Sequence, residues 1–340
     1  MMAVRAEVVR RTRRALQSPG IVRGERAMTS APTKNERGFA LLIVLLVLAL
    51  VAVLGAEFAY SMRLEASAVR AYKNGIIGSH LAETALEQAI REIVADAAFV
   101  VEEDDGLVTF YTTDRRPLPR LRREKAEFGG GRYSYRITDE EARLNINSSP
   151  PDRIDRLLQT LGLEREVRDT IVDSIQDWRD PNEEHRANGA ESDDYYLKLP
   201  VPYRARNANI ESITELLQIK GITAAIYNGT KDRPGLATLV TARGSGPVNM
   251  NTAGSAVLSA LGLSNAEIIE IVQGRHNAGP FASVPGKFGG RNMSVATRTF
   301  RIEAEGIVDE RVAARLTAIV QKRTDSDPPS AVVLEWSGPR

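Results

Sequence analysis

The chain has 340 residues, enough for two domains or for one with a large insertion, and it can bury a sizeable core. Lysine and arginine number 45 against 44 aspartate and glutamate, a balance of +1 that argues against a supercharged nucleic-acid binder, although an average can hide segregation. Without cysteine there is no disulfide framework and no thiolate centre, and only three histidines (His80, His185, His276) remain for histidine-based metal or hydrolytic chemistry.

Residues 1 to 37 carry nine basic side chains, among them Arg10, Arg11, Arg13 and Arg14, against Glu7, Glu25 and Glu36, so this stretch alone is +6. It has no apolar period and reads as a tail. After Gly38 come 18 residues, Phe39 to Ala56, without a charged or strongly polar side chain, bounded by Arg37 and Glu57. That length suits a membrane span, since soluble core helices seldom exclude polar residues for so long. A cleaved secretory signal would have a shorter apolar region ending at small residues, whereas this one runs on into helix-compatible sequence. Basic residues before the span place the amino end in the cytoplasm and everything after Glu57 outside it.

From Glu57 to about Phe99 the pattern stays helical, with Leu81, Ala85, Ala89, Ile93 and Ala97 four apart and Ala82, Leu86, Ile90 and Val94 beside them. Asn74, Gly75 and Gly78 mark the weak point, where a kink is expected because glycine inside a helix costs about 1 kcal/mol relative to alanine. Strands are predicted at Leu107 to Thr112 and at Arg132 to Thr138, the latter from the alternation of Tyr133, Tyr135 and Ile137 with Ser134, Arg136 and Thr138. Strand character resumes only at Thr299 to Val308, Ala313 to Lys322 and Val332 to Trp336. The intervening residues read mainly as helices. They hold three loosely similar units, 144 to 163, 206 to 222 and 248 to 263, each with an Asn-rich start, a capping Ser or Thr, an amphipathic helix and a Gly-containing turn. The expected fold class is α+β, a small antiparallel sheet interrupted by a large helical insertion and preceded by a long N-terminal helix. The implied domains are a basic leader (1–38), a transmembrane and amphipathic helix (39–99), a first sheet part (100–138), the helical insert (139–298) and a second sheet part (299–340).

No catalytic signature stands out. There is no Gly-x-Ser-x-Gly elbow and no His-Glu-x-x-His, and Pro285-Gly286-Lys287-Phe288 fails as a phosphate loop because Phe follows the lysine. No enzyme activity is expected. Helix-hairpin-helix DNA binding would need a Gly-x-Gly turn and nearby cations, but the turns at Gly162, Gly221 and Gly262 each have one glycine, and 144 to 230 holds 15 acidic against 10 basic residues. Nucleic acid is therefore not an expected partner.

Basic residues, Gly38, Phe39 and an uninterrupted apolar run resemble the class III signal segments of type IV pilins and type II secretion pseudopilins. The resemblance implies cleavage between Gly38 and Phe39 by a prepilin peptidase and N-methylation of Phe39. Most of these proteins carry Glu at the fifth mature position, and here it is Ile43. A carboxylate inside the bilayer is costly unless paired, and in the family it pairs with a neighbouring amino terminus during assembly, so Ile43 lacks that docking charge. Its absence, together with DEEARLNINS (139 to 148), IQDWRDPNEEHRANGAESDDYY (175 to 196), RNANIESITELLQIKGI (206 to 222) and VNMNTA (248 to 253), is similar to the protein K family of minor pseudopilins. That likeness implies the pseudopilin fold, an inner-membrane protein with one span and a periplasmic domain, and a place at the tip of the type II secretion pseudopilus. It also implies minor pseudopilins I and J and other pseudopilins as partners, with the secretin or exported proteins as further contacts. In that role the protein initiates pseudopilus assembly and supports export of folded proteins across the outer membrane. A minor tip pilin of a type IV pilus is the alternative, because the signal segment is shared. Without residues 1 to 38 the net charge becomes −5, and a start at Met28 would leave an 11-residue leader closer to the family's short form.

The acidic loop from Asp173 to Asp194 sets eight carboxylates against Arg179 and Arg186. Counting Asp180 as position 1 puts Asn182 at 3, Glu184 at 5, Asn188 at 9 and Glu191 at 12, the oxygen spacing of an EF-hand, but the sixth position, normally Gly, is His185. Composition alone favours a solvated loop with helix-capping carboxylates. The protein K resemblance implies calcium here, with Asp180, Asn182, Glu191, Asp193 and Asp194 as ligands. Asp177 and Trp178 are expected to close the preceding helix against the core.

Overall fold

A computed structural model describes residues 34 to 324, except Asp96, Asp104 and Asp105, and residues 329 to 338. The basic leader up to residue 33, including Met28, lies outside the described residues. In chain order the elements are α1 (Lys34–Val94), β1 (Phe99–Glu102), β2 (Val108–Tyr111), β3 (Ala126–Phe128), β4 (Gly131–Asp139), β5 (Leu144–Asn145), α2 (Pro151–Thr160) and α3 (Arg165–Arg179). They continue with α4 (Ala224–Asn228), β6 (Gly229–Thr230), β7 (Arg233–Pro234), α5 (Leu236–Leu239), β8 (Val240–Thr241), β9 (Val248–Asn249), α6 (Ser255–Ala260) and α7 (Asn265–Ala278). The last are β10 (Met293–Ser294), β11 (Thr299–Val308), β12 (Arg311–Arg323) and β13 (Ser330–Ser337). The chain divides into two units, residues 1–67 and 68–340.

The second unit is built on a five-stranded sheet in the order β13-β12-β11-β4-β3, antiparallel throughout, so strands from both ends of the sequence meet where β4 pairs with β11. Alternation decides its buried face: Tyr135 and Ile137 of β4, Phe300, Ile302 and Ala304 of β11, and Leu316, Ala318 and Val320 of β12 are buried. Against them lie Ala82, Ala85, Leu86, Ala89 and Ile93 of α1, where alanines four apart let the helix axis approach the strands. One buried ion pair fixes the end of this helix. Arg123 donates to both oxygens of Glu92 at 3.1 and 2.6 Å, and Tyr135 Oη donates to Glu92 Oε2 at 3.0 Å.

The kink expected near Gly75 is not present, and α1 is one uninterrupted helix that ends at Val94 rather than near Phe99, which starts β1. Gly78 and Gly306 are the reason. A Cβ on Gly306 would overlap the backbone of Gly78, and one on Gly78 would lie 2.6 Å from Ala313 Cβ, so glycine serves close helix–sheet contact here rather than bending. Asn74 Nδ2 donates to Asp309 Oδ2 at 3.0 Å and ties the same turn of helix to the β11–β12 hairpin.

The block between β4 and β11 carries α2 to α7 and short 3-10 helices joined by long irregular stretches, the helix expected within 206 to 222 being a 3-10 helix at Ile213–Gln218, and it has a separate core around Trp178, Tyr196, Leu157, Leu158 and Leu258. Contrary to the sequence expectation it contains strands, short parallel pairs β5–β8 and β9–β10. Each pair begins an Asn-x-Asn segment with the same wiring. Asn145 Oδ1 accepts from Asn147 N and Asn249 Oδ1 from Asn251 N, at 2.8 and 3.0 Å, while Asn147 and Asn251 each exchange hydrogen bonds with a distant backbone segment. The helix turns at Gly162 and Gly262 also match, both at positive φ (69° and 85°) and both closed by a leucine amide on the carbonyl of Leu158 or Leu258.

Three consecutive carboxylates, Asp139, Glu140 and Glu141, root this block in the sheet, and all are buried. Asp139 Oδ2 accepts from Asn249 Nδ2 (2.9 Å), Thr252 Oγ1 (2.5 Å) and Thr297 Oγ1 (2.6 Å), and Glu141 Oε2 accepts from the amides of Arg298 and Thr299. Glu140 is bonded by Arg143, by Arg301 at 2.7 Å and by Thr241. Burial alone would raise the Glu140 pKa, but Arg143 and Arg301 outweigh it and hold it below the usual carboxylate range. Burial and the adjacent Glu141 push Asp139 up to about 7, against the pull of its Thr and Asn donors.

Candidate functional site

Gly38 and Phe39 lie within α1, and Phe39 is 67% exposed. Ile43 is also exposed, an aliphatic side chain among Leu42, Val44, Leu46 and Val47 with no carboxylate in the run. Every side chain from Phe39 to Ala56 is exposed. This helix is long and apolar enough to cross a membrane, and no part of its apolar window is buried within the protein.

The acidic loop starts at the end of α3. Asp177 is completely buried there and acts as its anchor. Its Oδ2 accepts from Ala190 N at 2.9 Å and Arg186 N at 3.1 Å, and its Oδ1 accepts from Arg186 Nη1 at 2.6 Å. Gly189 is required by this fold-back, because a Cβ there would overlap the Asp177 carboxylate. Beside it Trp178 meets Tyr196 edge-to-face at 5.2 Å and closes the helix against the core, the role read for Asp177 and Trp178 from sequence.

Of the expected ligands, Asp180 and Asn182 sit together: Asn182 Nδ2 donates to Asp180 Oδ1 at 2.8 Å, and Asn182 Oδ1 accepts from Glu184 N. The other oxygen of Asp180 accepts from Arg186 Nη1 at 2.7 Å. Glu191 and Asp194 form a second cluster, with Glu191 N donating to Asp194 Oδ1 at 2.9 Å and His185 Nδ1 lying 3.5 Å from Asp194 Oδ2. Asp193 turns outward, its side chain 79% exposed and 3.9 Å from Arg204. Asn188, ninth in the EF-hand count, instead donates to Asp173 at 3.1 Å. Among the described residues no three His, Asp or Glu side chains gather closely enough to hold a metal ion.

Glu191 is the unusual member. It is 1% exposed, and among the described residues neither carboxylate oxygen has a hydrogen-bond partner. Burial, then the charges of Asp177, Glu183 and Asp180, push its pKa up to about 7. A buried carboxylate without a hydrogen-bond donor is the kind of hard oxygen group a cation takes, but the described residues do not gather further carboxylates closely enough around it to complete a site. Sequence reasoning missed Arg186 as an organiser of this loop, although a lone arginine between Glu184 and Glu191 was a visible signal.

A family model described as type II secretion system (T2SS), protein K, matches residues 136–232, which include the carboxylate root, α2, α3 and the acidic loop. The type II secretion system protein K of Pseudomonas aeruginosa is 28% identical over 305 residues, covering 82% of this chain and 86% of that protein. The Pectobacterium carotovorum protein K is 34% identical over 113 residues, 29% of this chain and 34% of that one. Among solved structures, the GspK-GspI-GspJ complex of the enterotoxigenic Escherichia coli type 2 secretion system contains a chain that superposes with a TM-score of 0.57 at 17% identity, over 80% of this chain and 98% of that one. With its apolar N-terminal helix, its antiparallel sheet and its helical insertion, the chain is similar over most of its length to the type II secretion system protein K family of minor pseudopilins.

Proposed function

We propose that this minor pseudopilin sits at the tip of the type II secretion pseudopilus, with Phe39 to Ala56 in the inner membrane, the leader in the cytoplasm and the rest in the periplasm. The observation that carries this reading is α1, a single helix holding both the exposed apolar run and the alanine-lined half packed on the sheet. A prepilin peptidase cuts between Gly38 and Phe39, leaving the helix attached, and the new Phe39 amine is methylated. Ile43 cannot offer the charge that stacks ordinary subunits, and the large insertion is ill-suited to a repeating lattice; both favour a single tip copy. The partners are then minor pseudopilins I and J, the two that accompany GspK in the solved complex. Co-expression with a prepilin peptidase is expected to shorten the wild-type chain, and Gly38→Ala is expected to block this. Equal processing of both would overturn the reading. The full chain should also co-purify with its cognate I and J proteins from detergent extracts.

The acidic loop is read as a structural calcium site, with Asp180, Asn182, Glu191 and Asp194 as its side-chain ligands and Asp193 outside the set. The ion would supply positive charge to the Glu191 carboxylate and brace the loop, without catalysis. Chelation of the purified protein is expected to lower its unfolding temperature and added calcium to restore it. An unchanged transition would assign the loop to solvent.

A further inference from the structure

We infer that the loop between β2 and β3, together with the last turn of α1, is a docking surface for an acidic segment of another protein that carries one large apolar side chain. The surface lies outside the acidic loop, and the inference does not depend on the calcium reading. Residues 112 to 125 hold six basic side chains against Asp114 and Glu124, a balance of +4 in 14 residues. Residues 39 to 340 as a whole have 36 basic against 41 acidic side chains, so this loop is opposite in sign to the chain that carries it. Two of the six cations serve the fold. Arg123 is buried on Glu92, and Arg120 donates to Thr109 Oγ1 at 2.9 Å and lies 3.8 Å from Glu103. Arg115, Arg116 and Arg122 are exposed, as is Arg91 on α1, and among the described residues none of these four has an ion pair. Arg122 Nε reaches only the backbone carbonyl of Glu124, at 3.2 Å.

Beside these cations lies an apolar cavity of about 290 Å³, walled by Phe110, Leu118, Pro119 and Leu121 and bordered by Arg91 and Arg120. Glu92 also lines it, but its carboxylate is already taken by Arg123 and Tyr135. Leu121 is 42% exposed, a large aliphatic side chain between two arginines in sequence. The walls stand without a ligand. Leu118 N donates to the Phe110 carbonyl at 2.7 Å, Thr112 N to that of Arg116 at 2.9 Å, and Tyr135 N to that of Arg123 at 2.9 Å. A site held in this way loses little conformational freedom on binding. Its two features call for one ligand. Unpaired like charges gain from an anion, and an open apolar cavity gains from an apolar group that displaces its water. A free phosphate satisfies only the first. The cavity is at the small end of ligand sites, which run from roughly 300 to 1,000 Å³, so it suits one anchoring side chain better than the paired acyl chains of a lipid. A segment with Phe or Leu flanked by Glu or Asp meets both demands, its side chain against Phe110 and its carboxylates facing Arg91 and Arg122.

The test is fluorescence anisotropy with the full chain in phosphatidylcholine nanodiscs and a labelled pentapeptide, phenylalanine flanked by two glutamates on each side. Saturable binding is expected, weaker on the order of tenfold when alanine replaces the phenylalanine and lost when lysines replace the glutamates. The double variant Arg91→Gln, Arg122→Gln is expected to weaken binding on the order of tenfold, and Leu121→Ser severalfold. All three positions are exposed, and Leu121→Ser carries the test should the arginine variant fail to fold. Arg165→Gln removes an arginine of α3 whose side chain is 85% exposed and is expected to change affinity by less than about twofold. Absence of saturable binding to the glutamate peptide would overturn the inference. Equal binding of the lysine peptide would reduce the surface to a nonspecific apolar patch, and an equal loss in Arg165→Gln would reduce it to net charge; either result overturns it. Flotation with phosphatidylglycerol vesicles that the double variant abolishes and the glutamate peptide does not compete would assign the surface to lipid, and would overturn it as well.

Discussion

Two carboxylate-rich regions of the same domain solve the problem of buried negative charge in opposite ways. At the root of the insert, Asp139, Glu140 and Glu141 are buried, but they accept from threonine, asparagine and arginine side chains and from backbone amides. In the acidic loop Asp177 is served equally well, yet Glu191, just as buried, is left without a donor among the described residues. A buried carboxylate without donors is stable only if it takes a proton or a cation from outside. The first region is thus held mainly by its own donors, with Glu141 Oε1 as its one carboxylate oxygen lacking a partner among the described residues, and the second is conditional on what the solvent supplies.

The comparison breaks most visibly when each region loses one carboxylate. Glu140→Ala leaves Arg143 and Arg301, 13% and 15% exposed, without their counter-ion, and is expected to cost about 3 to 5 kcal/mol in chemical denaturation whatever the calcium concentration. Glu191→Gln should do the reverse in calcium-free buffer at pH 8, stabilising the protein by about 1 to 3 kcal/mol because an uncompensated charge disappears. A similar loss in both variants would show that Glu191 is internally compensated after all.

Next in size is the pH dependence. The folded-state pKa of Glu191 is raised from 4.5 to about 7, so its favourable contribution is complete below about 4.5 and is lost as pH rises through about 7, on the order of 3 kcal/mol in the absence of calcium. Asp139, also raised to about 7, adds a slope of the same sign. Glu140, held low by its arginines, contributes in the other direction, with stability present above 4.5 and lost as pH falls below it. Calcium separates these contributions. At about 100 times its dissociation constant it should stabilise the protein by about 2.7 kcal/mol, or roughly 5 to 10 °C in unfolding temperature, and erase only the Glu191 part of the slope. The same part should be missing from Glu191→Gln with or without the ion.

Much of the fold was legible because it rests on local periodicity. The strands near Arg132, Thr299 and Ala313 follow alternation, and the N-terminal helix follows its four-residue alanine spacing. What escaped was set by long-range contacts. Gly78 reads as a helix breaker until Gly306 is placed against it, 228 positions away in sequence. The two-residue strands at Leu144 and Val248 are too short for any period and exist because distant segments pair with them. In the acidic loop the spacing was legible and the wiring was not. The EF-hand count treats ligands as a linear series, whereas Asp177, outside that count, organises the loop by drawing Arg186 and Ala190 onto one carboxylate.

The smallest expected effect sharpens the boundary of the conditional region. Asp193 and Asp194 are adjacent, both acidic and both expected from sequence to bind the ion, but they face different surroundings. Asp194 holds the Glu191 amide, whereas Asp193 is solvated and only loosely opposed to Arg204. Exposed pairs of this kind are worth a fraction of a kcal/mol, so Asp193→Asn should shift stability by less than about 0.5 kcal/mol and leave the calcium-induced rise in unfolding temperature intact. Asp194→Asn should diminish that rise, since it weakens both a proposed ligand and the support of the Glu191 backbone. If Asp193→Asn proves the more damaging of the two, the loop reorganises on binding and draws an outward carboxylate in. The cation would then build its site rather than fill one shaped by Asp177 and Arg186.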